Sequence, residues 1–352
     1  MELSHPTVFL FGAGATRGAF SNRSAPPPLD GDFFEIAGQI RGHGTSRLAS
    51  TVLNDVLTLY GRIIGVGLEN YYRDIEARAI VSRFAKSANK PRDWARRQRN
   101  LEELIRRIVI HTTRDQDAKQ FTPGKSDIHS RILSNLAPRD TIITFNYDLL
   151  IEESFPNEHL WTPRGGYGEG FHGITSGWCK KWFENRKASM EAASKIQLLK
   201  LHGSINWTLY KTGEVRLKPR PFVARTRGGA PVFEDVSILP PGWNKQINKN
   251  PYKQFWREAR LKLENCDSVV VLGYSLPEAD LLAQALLSEV VRMRAARKRF
   301  LEQLHLADPS ESVKQKFVDL FIPVLNARTK VARYGNIEDF AEKCKVKLTI
   351  PR

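Results

Sequence analysis

Several residues of this chain are of the kinds that move protons, order water or hold phosphate, and each follows an apolar run. "IITFNYD" (142–148) carries Asn146 and Asp148, and "LLKLHGS" (198–204) carries His202 followed by Gly203. "FLFGAGATRG" (9–18) carries Gly12, Ala13, Gly14, Thr16 and Arg17. "VVVLGYS" (269–275) ends in Ser275, and "LHLAD" (304–308) ends in Asp308. Burying an amide or carboxylate without partners costs about 1–3 kcal/mol, more for a charge. Each such group must therefore cap a helix, bond a neighbour or line a site. A side-chain amide both donates and accepts, so Asn146 can orient a water. An imidazole titrates near neutrality, so His202 can act as a general base; a bonded structural histidine is the plainer reading. Gly203 leaves room for a ligand beside it. Gly12 and Gly14 permit a tight turn and let backbone N–H groups approach a pyrophosphate. Thr16 adds a hydroxyl and Arg17 a cation for the same phosphates. Gly18 falls four residues after Gly14 rather than three, a departure from the dinucleotide fingerprint. An ordinary strand-to-helix turn, with Arg17 on the surface, fits that spacing equally well. Asp148 also suits the start of a helix near Leu149.

The elements that must position these groups read as follows. Strand-like runs occur at 7–14, 141–148, 196–203, 267–275 and 303–308, with a last one at 330–335. Most are continuous apolar runs ending in glycine or a polar residue, the pattern of parallel strands buried on both faces. Helical segments follow several of them, at 279–300 and 310–321. The βα alternation predicts an α/β fold, a doubly wound and mostly parallel Rossmann-like sheet. In such a sheet the carboxyl ends of the strands face one ligand crevice, so five polar strand ends point to a shared site. Between the first two strands, residues 33–135 show apolar positions at three- and four-residue spacing, which predicts a helical insert lobe. Two loop-rich inserts are expected at 160–195 and 208–264, all within one domain spanning 1–352. "TPRGGYGEGFHG" (162–173) reads as an exposed loop with the glycine content of a mobile lid.

Composition narrows the classes. A chain of 352 residues with 41% hydrophobic content can build a large core. No apolar run reaches about 18 residues, so no membrane span is expected. The N-terminal apolar run lacks a basic segment before it and reads as the first strand rather than a signal peptide. Cys179, Cys266 and Cys344 are far apart; they form no metal-ligand spacing and fit a reducing, cytoplasmic setting. No metal is expected. The net charge of +16, concentrated in 92–107, 216–227 and 292–299, favours an acidic partner such as a nucleotide or nucleic acid. Solvated helix faces account for the same charge.

Taken in order, "GAGAT" (12–16), "TFNYD" (144–148), "LHGS" (201–204) and "LGYS" (272–275) resemble the NAD-binding core motifs of sirtuins. More closely, the chain is similar to the sirtuin-like NADases of bacterial anti-phage defence, which "PPPLDGDFF" (26–34) also resembles. The likeness covers the strand framework, about half of the chain, and leaves out the inserts. It implies that Gly12, Ala13, Gly14 and Thr16 hold the pyrophosphate and its ribose. It implies that Asn146 orders a water near the nicotinamide ribose and that Asp148 holds the nicotinamide side or anchors the loop. His202, beside Gly203, would contact the ribose hydroxyls as general base. Gly273, Tyr274 and Ser275 would bind phosphate or the adenosine ribose, and Asp308 would reach the adenosine end. Sirtuin deacylases carry a four-cysteine zinc ribbon; this chain has no C-x-x-C, and Phe145 stands where they have glutamine. Both departures argue against protein deacylation.

The expected activity is NAD+ hydrolysis to nicotinamide and ADP-ribose by a toxic defence effector. Its expected brake is homo-oligomerisation or a partner defence protein, such as a nucleic-acid translocase. The alternatives are a protein deacylase or ADP-ribosyltransferase, and a nucleic-acid-binding or NAD-sensing subunit without turnover.

Overall fold

Thr7–Phe11 (β1) is apolar on both faces apart from Thr7, and it becomes the centre of the molecule. In the computed structural model it pairs in parallel with Thr141–Thr144 (β2) on one side and Ser268–Leu272 (β9) on the other. Gln197–Lys200 (β3) continues the sheet beyond β2. Gln303–Ala307 (β10) and Lys330–Tyr334 (β11) continue it beyond β9. The sheet is thus six parallel strands in the order β11-β10-β9-β1-β2-β3. The chain winds outward from β1 in one direction and then returns to wind in the other, which is the doubly wound arrangement. All six strands lie within the runs expected from sequence. The helices Leu281–Ala296 and Glu311–Phe321 are the crossovers of the second half, and right-handed βαβ packing requires such elements to cover the sheet faces. The structure describes residues 3–41, 45–82, 84, 91–117, 122–156, 160–162, 166–167, 194–209, 215–217, 224–225, 231–232, 236–238 and 252–343.

Helices occupy most of the chain between β1 and β2. Phe33–Gln39, Thr45–Tyr60, Leu68–Val81 and Pro91–Thr113 enclose a core of their own. Phe33, Phe34, Val52, Tyr71, Leu101 and Leu104 are all buried within it. Their spacing within each helix gives one apolar stripe, and neighbouring stripes close on each other. Ile105 and Val109 of the longest helix also reach the sheet's crevice, so this helical layer forms one wall of the site.

The region 208–264 differs from the loop-rich expectation. Gly203–Leu209 (β4), Val215–Leu217 (β5) and Val236–Ile238 (β8) form a small antiparallel sheet, and Ala224–Arg225 (β6) pairs with Pro231–Val232 (β7). Tyr252–Asn265 is a helix. Its Tyr252, Phe255, Trp256, Ala259 and Leu263 recur every three or four residues and are buried, a helical period that the neighbouring prolines and tryptophans obscured. Trp207 is fully buried in the main core. Most of 160–195, including most of the run 162–173, lies outside the described residues. So do Cys179, Cys344 and most of the basic run 216–227. Cys266 is buried, and burial pushes its thiol up to about 11. Among the described residues no helix is long and apolar enough to cross a membrane.

Candidate functional site

The turns after β1 and β9 meet at the point where the winding reverses, and glycine makes the meeting close. The Gly12 N–H donates to Leu272 O (3.0 Å) and the Gly14 N–H to Gly273 O (2.9 Å). A Cβ on Gly12 would lie 2.5 Å from Tyr274 Cα, and one on Gly273 would lie 2.2 Å from the Ala15 nitrogen. Gly273 also has φ +57°, in the region that glycine enters without cost. These glycines therefore lock two loops together. That is a structural task beside the phosphate approach expected of them, and it occupies the amides of Gly12 and Gly14.

Beside this lock lies a cavity of about 770 Å³, open at the carboxyl ends of the strands. Its volume falls within the ~300–1,000 Å³ usual for sites that enclose a ligand. Ala13, Gly14, Thr16, Arg17, Asn146, Asp148, His202, Gly273, Tyr274, Ser275 and Asp308 all line it. Gly12 and Gly203 do not. Gly12 is covered by the second loop, and Gly203, at φ +81°, turns the chain from β3 into β4.

Asn146 and His202 stand at equivalent heights. Thr144 of β2 is in register with Lys200 of β3, and each functional residue comes two positions later. The Asn146 side-chain Nδ2 donates to Gly12 O (2.9 Å) and to Thr16 Oγ1 (3.1 Å). With both amide protons engaged, Oδ1 is the group this side chain offers a ligand. Thr16 passes the chain of bonds onward: its hydroxyl donates to Asp148 Oδ2 (2.8 Å). Asp148 Oδ1 accepts the Leu150 N–H (2.9 Å) at the start of the helix Leu150–Ser154. Asp148 thus joins the loop after β1 to the next helix as well as lining the cavity. Beneath it, Lys200 Nζ donates to the Asp148 carbonyl oxygen and to Glu152 Oε1 (2.8 Å). Tyr167 OH donates to that same carboxylate (2.9 Å).

His202 is buried against aromatic rings. Phe145 meets it edge to face at 5.3 Å between centroids and stacks on Tyr274 at 4.0 Å. His202 Nε2 lies 3.1 Å from Asp280 Oδ2, and Tyr274 OH donates to the same oxygen (3.2 Å). Asp280 escaped sequence reasoning because nothing in "LPEAD" ties it to a histidine far earlier in the chain; its only local signal is an acid just before a helix. Burial pushes the Tyr274 hydroxyl well above its ordinary value.

Arg17, expected to offer a cation for phosphate, lines the cavity beside an acidic neighbour. Its guanidinium is paired with Asp32, in the 3-10 turn Asp30–Asp32 of "PPPLDGDFF". In the same turn, Asp30 Oδ1 accepts the Glu69 N–H (2.7 Å) and holds the start of the helix Leu68–Val81. Burial raises the Asp30 carboxyl above its ordinary value. Asp308 is raised by burial as well, and it accepts the Ser310 N–H (2.8 Å).

Residues 140–317, just over half of the chain, match the family model described as a SIR2-like domain. A solved Sir2 homologue bound to ADP-ribose is 13% identical, with 96% of this chain and 89% of that one covered at a TM-score of 0.42. A Sir2 homologue–NAD complex is 11% identical, with 96% and 86% covered at a TM-score of 0.39. Comparison with curated proteins gave no match. On the family model, and with a doubly wound parallel sheet carrying its motifs at the strand ends, this chain belongs to the SIR2-like domain family.

Proposed function

We propose that this protein is an NAD+ glycohydrolase, cleaving the bond between nicotinamide and ribose to release nicotinamide and ADP-ribose. The observation that carries the reading is that Asn146 and His202, at matching heights on adjacent strands, share one cavity with the two glycine loops. The chain fits the dinucleotide in two respects. The cavity is of the right order of size. Asp308 lines it, and a carboxylate there can accept from ribose hydroxyls.

Cleavage of an N-glycosidic bond passes through an oxocarbenium-like state. Asn146 Oδ1 would hold the attacking water. As the carbon–nitrogen bond breaks, the water oxygen bonds to the same ribose carbon, nicotinamide departs with the bonding pair, and His202 takes the water's proton. The buried rings of Phe145 and Tyr274 limit competing solvent. A positioned water and base together can contribute several orders of magnitude.

The motif resemblance supports placing the enzyme as the toxic effector of an anti-phage defence system that acts by depleting NAD+. Under that reading it is held in check by oligomerisation or by a partner protein, and the +16 charge suits contact with a partner that carries nucleic acid. Chromatography of purified protein incubated with NAD+ tests the reading. Equimolar nicotinamide and ADP-ribose are expected. Asn146→Ala and His202→Ala should each lower release by ~10²–10⁴-fold in protein that still folds. Nicotinamide without free ADP-ribose would instead indicate transfer to an acceptor, and full activity in both variants would refute the mechanism.

A further inference from the structure

We propose that Asp280 is the positioning residue for His202, and that Tyr274 sets how strongly it acts. The inference deepens the hydrolase reading, because it assigns the group that tunes the base on which that reading rests. Asp280 is 1% exposed, and its Oδ2 lies 3.1 Å from His202 Nε2 while accepting the Tyr274 hydroxyl. A carboxylate just before a helix ordinarily bonds that helix's first amides. Asp280 makes no such capping bond to Leu281–Ala296. Its backbone is fixed instead: its N–H donates to Pro277 O (3.1 Å) and its carbonyl accepts the Gln284 N–H (3.1 Å). The side chain is therefore mounted rigidly and turned to the imidazole. On the other side the ring meets the edge-on Phe145, itself stacked on Tyr274. Histidine, carboxylate and phenol all line the cavity.

A carboxylate so placed does two things. It keeps the proton of the neutral ring on Nε2, which fixes the ring's tautomer and tilt. It also stabilises the imidazolium formed when His202 accepts the water's proton, as the buried acid does in nucleophile–base–acid triads. The Tyr274 bond spreads part of the carboxylate's charge, and so moderates its pull on the ring.

The test is the His202 titration, followed by NMR in histidine-labelled protein and assigned with His202→Gln. It is run beside the pH profile of nicotinamide release. Asp280→Asn should lower the His202 pKa by about one unit or more, move the acid limb of the profile down with it, and cut kcat by at least about tenfold with little change in KM. Tyr274→Phe, which retains the stack on Phe145, should move the pKa the opposite way. Asp280→Glu should restore part of the shift. A role confined to folding would lower the melting temperature and leave the titration in place. An unmoved His202 pKa in folded Asp280→Asn, or in Tyr274→Phe if the former does not fold, would overturn the proposal. Shifted titrations in a protein whose wild type releases no nicotinamide would leave the pair standing and contradict the hydrolase instead.

Discussion

At the scale of single residues, the least expected feature is a charge under the site. Lys200 and Glu152 are 1% and 2% exposed, and they join through a bond that also holds the Asp148 carbonyl. Removing one member of a buried pair strands the other, at a cost of about 3–5 kcal/mol. Lys200→Met should therefore destabilise the protein by that order in denaturant unfolding. Lys200→Met with Glu152→Leu should recover much of the loss. A single variant as stable as wild type would refute the coupling. The residues that line the cavity were legible because Asn146, Asp148, His202 and Asp308 stand at the ends of apolar strands, where a polar group must cap, bond or line a site. Their partners were not. Asp280, Asp32 and Glu152 look like ordinary surface acids, since an ion pair formed by folding leaves no local pattern in the chain.

At the scale of elements, the strands were legible and their order was not. A continuous apolar run reports burial on both faces, so β1, β2, β9 and β10 announce themselves. Which strand neighbours which depends on crossovers that no run encodes. The helix Tyr252–Asn265 was hidden because tryptophans and prolines nearby suggested loops, although its apolar residues keep a helical period. The glycines make a prediction at this scale. Gly273 sits at φ +57° with the Ala15 nitrogen in the path of a Cβ. Gly273→Ala should cost at least about 2 kcal/mol from backbone strain and overlap, seen as a melting temperature lower by several degrees. It should also part the two loops and weaken NAD+ binding in calorimetry. An alanine variant with wild-type melting would contradict the interlock.

At the scale of the whole molecule, charge is divided by location. The chain carries +16, yet the described cavity lining holds Asp30, Glu69, Asp148, Asp280, Asp308 and Glu338 against Arg17, which Asp32 engages. An acid-lined cavity suits a ligand with a cationic ring and ribose hydroxyls. Stability should also depend on pH through His305, which is fully buried between Tyr334 and Gln303 and pushed down to about 4 by burial. The unfolded chain takes up that proton near 6.5, so between 6.5 and 4 it binds more protons than the folded one. The contribution is whole above 6.5 and falls by roughly 2–3 kcal/mol as the pH drops to 4; His305→Gln should flatten that slope in urea titrations. The most direct test of the whole account is nicotinamide release from NAD+ by the purified protein beside Asn146→Ala. Release by the wild type, lost in a variant that still folds, is the predicted result. Equal release by both, or NAD+ bound in calorimetry and left intact by wild type supplied with its oligomeric or partner-bound state, would contradict it.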